Sequence, residues 1–344
     1  MYKNIIIVGG GIAGMAAAAA LSEIGMEVTV LEREKLPGGH VRSWDRLFPT
    51  LRAAKEVLDF LNKSLGLLTE IICDIEVGSI VPTPGGYTIH CTNGDIFTTG
   101  CLVLATGYDL FDARKKEEYG FGIYENVITS ADLEKIFREG NQVTTCGGQV
   151  PRRVGIIHCV GSRDEKVGNI YCSKVCCVTG VKQAIEIRQM LPDCEIFSFY
   201  MDLRMYDRHF EELYFEAQQK WNVNFIRGRL SECAENPDHS IILKTEDTLT
   251  GHPLKLTVDL VVLLVGFVPG SSARKITGSL GLLQGTDGFL LPADEHTAGN
   301  RTLLPGVFLA GAVKGPACVV DTIADGRATA VEVYRYMKHS EVAK

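Results

Sequence analysis

Apolar and polar positions at the start of the chain fall into three runs. "NIIIVGG" is a short, continuous apolar stretch ending in glycines, "GIAGMAAAAALSEIG" is rich in alanine, and "EVTVLE" returns to β-branched residues. Their lengths and punctuation predict strand, helix and strand, together one βαβ unit. "FTTGCLVLATG" predicts another buried strand that stops at Gly107. Around "ENVITSADLEKIFREGNQVTTCGGQVPRR" the pattern turns polar, with one short amphipathic helix and then Gly and Pro, so a second domain is expected there. "RRVGIIHCVGS" then predicts a strand, "SKVCCVTGVKQAIEIRQML" a helix, "CEIFSFYMDLR" a strand and "LTVDLVVLLVGFVP" a late buried strand. The second half thus repeats the order of the first. "LPGVFLAGAVKGPACVVDTIADGRATAVEVYRYM" closes the chain as strand, glycine turn and long helix. Short strands alternating with helices predict parallel sheets covered on both faces. The expected architecture is α/β, with two Rossmann-like three-layer domains, one discontinuous over 1–124 and 269–344, the other over 125–268.

Composition narrows the partners. The 344 residues are 46% hydrophobic, enough for a large core, and the net charge of −7 offers no basic field to nucleic acid or to an anionic membrane surface. The longest apolar run is broken by Asp259 and ends in Pro269, too short to span a bilayer, and the N-terminal stretch lacks the features of a secretory signal. A soluble cytoplasmic protein is expected. In that reducing compartment, eleven cysteines, an odd count, point to metal or redox chemistry where they cluster.

Gly9, Gly11 and Gly14 form G-x-G-x-x-G between strand and helix, and Glu32 ends the next strand. Such glycines allow a tight turn, close approach of backbone to a pyrophosphate and helix–strand packing, with the helix N-terminus facing the anion and the acid accepting ribose hydroxyls. "LVLATG" and "GVFLAGA" look like flavoprotein signatures and favour FAD over NAD. Flavoproteins of this type usually carry Asp where this chain has Ala312; Asp321 is a candidate substitute and equally a helix cap. In "PGGHVRSWDRLFPT", Gly38 and Gly39 allow the chain to hug a cofactor, while His40, Arg42 and Trp44 read more simply as structural. The residues expected to contact FAD are Gly9, Gly11, Ala13, Gly14, Glu32, Arg33, Gly39, His40, Ala105, Thr106, Gly107, Gly311, Ala312 and Asp321.

The second strand–turn–helix lacks a glycine fingerprint. "IIHCVGSRD" keeps only Gly161, which disfavours NAD(P)H there, and the stretch offers Cys159, Cys172, Cys176 and Cys177 instead. Cys172 and Cys176 are spaced i and i+4, Cys177 points about 100° further round a helix, and Cys159 closes the set from the strand end. Four thiolates suit a [4Fe–4S] cluster; structural zinc ranks second and a redox dithiol third.

Taken with "VKQAIEI", "FYMDLR", "FIRGR", "EDTLTG", "DLVVLLVG" and "GVFLAGA", the stretch "CVGSRDEKVGNIYCSKVCC" resembles the flavin (A) subunit of heterodisulfide reductase over nearly the whole chain. The resemblance implies a fold like thioredoxin reductase, FAD in the first domain, and a [4Fe–4S] cluster on Cys159, Cys172, Cys176 and Cys177. Lys182 matches a family lysine close to the flavin ring. Larger members carry an added N-terminal domain and ferredoxin-like modules, which are not expected of this chain, and many have cysteines where it reads "FPTLRAAKEVL". The short form is most similar to the flavin subunit of the heterodisulfide reductase-like complex of sulfur oxidisers, with the flavin subunit of a quinone-interacting complex as runner-up. Implied are an electron-transfer role in oxidation of sulfane sulfur, a homodimer, and partner subunits carrying further clusters and the sulfur substrate. A stand-alone NAD(P)H-dependent disulfide reductase is the rival outside that family, and a flavin and zinc scaffold the non-enzymatic one.

Overall fold

A computed structural model describes residues 4–342. Ten of its strands form two five-stranded sheets: β1 (Ile5–Val8), β2 (Val28–Leu31), β3 (Thr69–Ile72), β4 (Cys101–Leu104), β5 (Val127–Thr129), β6 (Arg153–Val160), β7 (Glu195–Tyr200), β8 (Asn224–Arg227), β9 (Leu260–Val265) and β10 (Val307–Leu309). Four helices position the functional residues: α1 (Ile12–Glu23), α2 (Ser130–Arg138), α3 (Cys176–Met190) and α4 (Val319–Val342). One sheet runs β10-β4-β1-β2-β3 and the other β5-β9-β6-β7-β8. Every pairing in both is parallel. Each sheet therefore has a central strand, β1 or β6, with the next two strands of the chain on one side and a later strand beside it on the other. That shared plan is the repeat visible in the sequence.

Burial explains the continuous apolar runs. All four residues of β1 and all six of β9 are buried, as strands covered by helices on both faces must be. Helix α1 is apolar nearly all round because it is covered nearly all round; Met15, Ala16, Ala17 and Ala18 are wholly shielded. Small side chains let α4 close on it, and a Cβ at Gly326 would collide with the Ala13 carbonyl. Among the described residues no helix is long and apolar enough to cross a membrane.

The chain divides into two compact units. One takes in the chain up to Arg42, Lys55–Asp109 and the chain from Val268 onward; the other takes Ser43–Ala54 and Leu110–Phe267. The expected split at 124/125 and 268/269 kept Ser43–Ala54 and 110–124 with the first unit, whereas in the structure they pack with the second. Their side chains give the reason. Phe48 and Leu51 pack against the second unit's core, and Lys116 is a buried cation 2.7 Å from the buried Asp164 carboxylate. A boundary read from a change in hydrophobic pattern cannot register such long-range partners.

Candidate functional site

In the first unit, β1 runs into a turn that only glycine fits. Gly9 has φ +107°, and a Cβ there would press on the Ala105 carbonyl; a Cβ on Gly14 would overlap the Gly9 carbonyl. Gly11 caps α1 without a side-chain hydrogen bond, and no acid occupies the first helical turn. The helix N-terminus is thereby left for an external anion. Glu32, 5% exposed, accepts the Gly10 amide at 2.6 Å on one oxygen and the Glu34 amide at 2.8 Å on the other. This fixes the carboxylate beside the turn, with lone pairs left for hydroxyl donors.

Other predicted residues gather around the same turn. Gly38 donates its amide to the Gly10 carbonyl at 2.7 Å, and Gly39, with φ +56°, lies so near Gly11 that a Cβ would stand 3.2 Å from the Gly11 Cα. Ala13 packs beneath Gly311, whose φ is +73°. Ala105 is buried after β4, Gly107 has φ +66°, and the buried Thr106 Oγ1 has no hydrogen-bond partner among the described residues. Such an orphaned hydroxyl beside a glycine-built cradle fits a polar ligand. His40 shares a 2.8 Å hydrogen bond with the Tyr108 carbonyl and stacks on that ring at 4.5 Å, so it is held as structure. Arg33 is on the surface, donating to Ser272 Oγ at 3.2 Å.

Sequence reading missed the carboxylate that serves the "GVFLAGA" turn. Ala312 is buried and Asp321 is exposed in the first turn of α4. It is Asp325, one helical turn further, whose Oδ2 accepts the Gly311 amide at 2.6 Å. The i, i+4 relation between Asp321 and Asp325 was the available signal, since both lie on one stripe of the same helix.

In the second unit the corresponding turn is built differently. The register of β6 against β9 shifts between Ile157 and Val160, and Cys159 has φ +60°. A bulge of this kind re-aims the side chain at the strand end. Gly161, φ +74°, leaves room for the Phe111 ring where a Cβ would otherwise sit. Ser173, wholly buried, shares a 2.5 Å hydrogen bond with Ser162 and accepts the Phe267 amide at 2.8 Å, pinning the loop that enters α3.

Three of the four predicted ligands come together. Cys176 is buried in the same core cluster as Cys159 and Cys177, and the three perturb one another's protonation. Cys176 is driven upward by Cys159 first, by Cys177 and by burial, and keeps its proton. Cys159 and Cys177 are both pulled down, first by Cys176, against the effect of burial; the His158 ring assists at each. Cys172 lies outside that contact set, half-buried, its sulfur accepting the Lys174 amide at 3.3 Å. Among the described residues no three or more His, Cys, Asp or Glu side chains form a closed ion-binding group. Cys159 and Cys177 have thiolate character, Cys176 is a protonated thiol and a fourth thiol lies on the adjoining loop, donors of the kind a thiophilic group takes. All eleven cysteines are free.

Lys182, two turns into α3, is 2% exposed. Its Nζ donates to Glu134 Oε1 at 2.5 Å and to the Arg46 carbonyl at 3.0 Å, and lies 3.1 Å from Glu186 Oε2. Glu134 is presented by α2, whose N-terminus is fixed by a reciprocal capping box between Thr129 and Asp132. The ammonium is enclosed by one carbonyl and two carboxylates of its own unit.

Comparison with known proteins bears on the fold and on the family. The family model for an NAD(P)-binding Rossmann-like domain matches residues 7–60. Thioredoxin reductases share the fold: that of T. acidophilum matches with a TM-score of 0.69 at 19% identity, covering 97% of this chain and 98% of the other. That of Lactococcus lactis matches with a TM-score of 0.70 at 18% identity, covering 98% and 99%. The A subunit of the H(2):CoB-CoM heterodisulfide,ferredoxin reductase of Methanothermobacter thermautotrophicus is 31% identical over 98% of this chain and 64% of its own length. The iron-sulfur A subunit of the CoB–CoM heterodisulfide reductase of Methanocaldococcus jannaschii is 32% identical over 96% of this chain and 64% of its own length. The chain thus spans 64% of the length of these two relatives. With that identity sustained over nearly all its residues, on a fold shared with thioredoxin reductases, the chain belongs to the family of heterodisulfide reductase A subunits.

Proposed function

We propose that this chain is an oxidoreductase subunit that binds FAD in its first unit and a [4Fe–4S] cluster in its second, and relays electrons within a heterodisulfide reductase-like complex. The observation that carries the reading is the convergence of Cys159, Cys176 and Cys177 where a second nucleotide turn would lie. When bound, the flavin supplies one- or two-electron chemistry and the cluster one-electron chemistry. The protein's part is binding and orientation. The Gly9–Gly14 turn and the open α1 N-terminus receive the pyrophosphate, Glu32 takes ribose hydroxyls, and Asp325 holds the Gly311 turn in place. Cys159, Cys176 and Cys177 hold the cluster, with Cys172 brought in from its loop. Clusters of partner subunits and a sulfur-substrate subunit complete the route, and oxidation of sulfane sulfur by a cytoplasmic homodimer is the physiological setting we assign. A quinone-interacting complex is the alternative setting.

One observation favours a second reading. Cys172 stands apart while Cys176 shares its proton with two depressed thiols, an asymmetry that suits a dithiol exchanging with a disulfide. Purification without oxygen, followed by iron, acid-labile sulfide, zinc and the visible spectrum, separates these. About four irons and four sulfides per chain, with Cys176→Ala losing them while flavin is kept, is the expected result. Rapid flavin bleaching by NAD(P)H with no iron would instead establish the disulfide reductase, and stoichiometric zinc without sulfide would establish a scaffold.

A further inference from the structure

We infer that the carboxyl edge of β6, β7 and β8 is a docking surface for an acidic segment of a partner protein. The inference rests on the proposed place of the chain in a complex, and not on what the cysteines hold. The three strands are adjacent and parallel, so the loops that leave them emerge on one edge of the sheet. That edge is where open α/β sheets bind their ligands. Residues 161–175, 201–209 and 227–231 follow these strands and carry seven Lys or Arg against four Asp or Glu, in a chain whose net charge is −7. A surplus of positive charge confined to one edge of an acidic molecule attracts an acidic partner and orients it on encounter.

Arginines from different loops are drawn together there. Arg163 Nη2 donates to Asp202 Oδ2 at 2.8 Å, and Arg227 Nη2 lies 3.8 Å from Asp202 Oδ1. Arg229 Nη1 donates to the Arg163 carbonyl at 3.4 Å, and its Nη2 lies 2.6 Å from Asp164 Oδ2, an oxygen that the buried Lys116 also takes. Three arginines thus share two carboxylates, one of which also serves a lysine. The side chains of Arg227 and Arg229 are half-exposed, and a guanidinium carries five donors, so donors remain for carboxylates of another chain. Apolar side chains stand among these charges. Ile170, 68% exposed, precedes Tyr171, whose carbonyl accepts the Arg163 amide at 2.9 Å. Tyr206, 66% exposed, lies on the loop after β7 with its ring 6.3 Å from that of the core residue Phe210. Arginine and tyrosine beside an exposed aliphatic residue are the materials of a protein interface. The exposed Asp202 and Asp207 on the same loop oppose a phosphate backbone, which leaves an acidic polypeptide as the better match.

The test is the fluorescence anisotropy of a fluorescein-labelled octapeptide of glutamate titrated with the full chain at low and at high salt. Saturable binding that weakens with salt is expected. Arg204→Glu combined with Arg227→Glu should weaken it by about tenfold or more. Lys55→Glu combined with Lys63→Glu changes the net charge equally at exposed positions of the first unit and should weaken it by less than about twofold. Arg204→Gln with Arg227→Gln, which removes the cations without adding repulsion, should fall between. Equal losses in the two charge-reversed proteins, or no salt-sensitive binding by the wild type, overturn the inference. Tighter binding of a single-stranded oligonucleotide of the same charge overturns it in favour of nucleic acid. Iron, sulfide and flavin bleaching by NAD(P)H, read on the same samples, test the proposed function separately, so either can fail alone.

Discussion

Asp325 Oδ2 accepts the Gly311 amide at 2.6 Å, while its Oδ1 takes Lys314 Nζ at 2.7 Å and Asn300 Nδ2 at 2.9 Å. One carboxylate thus holds the strand-to-helix turn, whose glycine has φ +73°, against the helix that covers it. Asp325→Ala strands the Gly311 amide and leaves Lys314 and Asn300 only their carbonyl and hydroxyl partners, an expected loss of about 1–3 kcal/mol, and loosens the turn proposed to line the flavin. Asp325→Asn keeps one acceptor and should fall between. Thermal midpoint and flavin retained through gel filtration measure both effects; an alanine variant equal to wild type in both would show that the turn does not depend on Asp325.

Gly161 is the glycine that survives in the second turn, and its role is steric. With φ +74° and the Phe111 ring where a Cβ would stand, Gly161→Ala meets backbone strain and a clash together. The expected cost is about 2–4 kcal/mol. Pairing it with Phe111→Leu should recover part of the loss, because the ring is one of the two causes. Urea denaturation of the four proteins in the cycle decides this, and strict additivity would remove the ring from the account.

The doubly wound architecture was legible because its signals are local. Continuous apolar runs such as "LVVLLV" and glycines at strand ends are dictated by burial on both faces and by turns close at hand. The first turn was legible for the same reason, since Gly9, Gly11, Gly14 and Glu32 lie within one βαβ unit. What escaped depends on distant partners. Its spacing from Asp321 hints at Asp325, but only the packing of α4 beside Gly311 selects it, and Ser43–Ala54 joins the second unit through Phe48, Leu51 and the Lys182 network. The i, i+4 spacing of Cys172 and Cys176 assumed a helix that begins only at Cys176, which is why Cys172 stays on the loop.

Lys182→Met tests whether that lysine is structural. Its removal leaves Glu134 and Glu186, 5% and 4% exposed at their side chains, buried without a cation. Breaking a buried pair in this way costs about 3–5 kcal/mol. Lys182→Met combined with Glu134→Gln should regain much of it, the remaining carboxyl being able to take up a proton. Chemical denaturation at mildly alkaline pH reads the result. A lysine that served a flavin alone would leave stability of the flavin-free chain unchanged.

Glu186 supplies a pH signature in the same network. Burial, above all, raises its carboxyl to about 7; Lys182 on its own helix opposes the rise, while Glu134 from α2 and Asp45 from the inserted segment add to it. The unfolded carboxyl titrates near 4.3, so between about 4.5 and 7 the folded chain holds a proton that the unfolded chain has released. Stability contributed by this group is therefore full at acid pH, falls as pH rises through that window, and is level above it. Glu186→Gln removes the slope, so its stability should gain on wild type by on the order of 3 kcal/mol across the window. Urea midpoints measured through the range check it: curves that run parallel for the two proteins would mean that Glu186 titrates alike in the folded and unfolded chain.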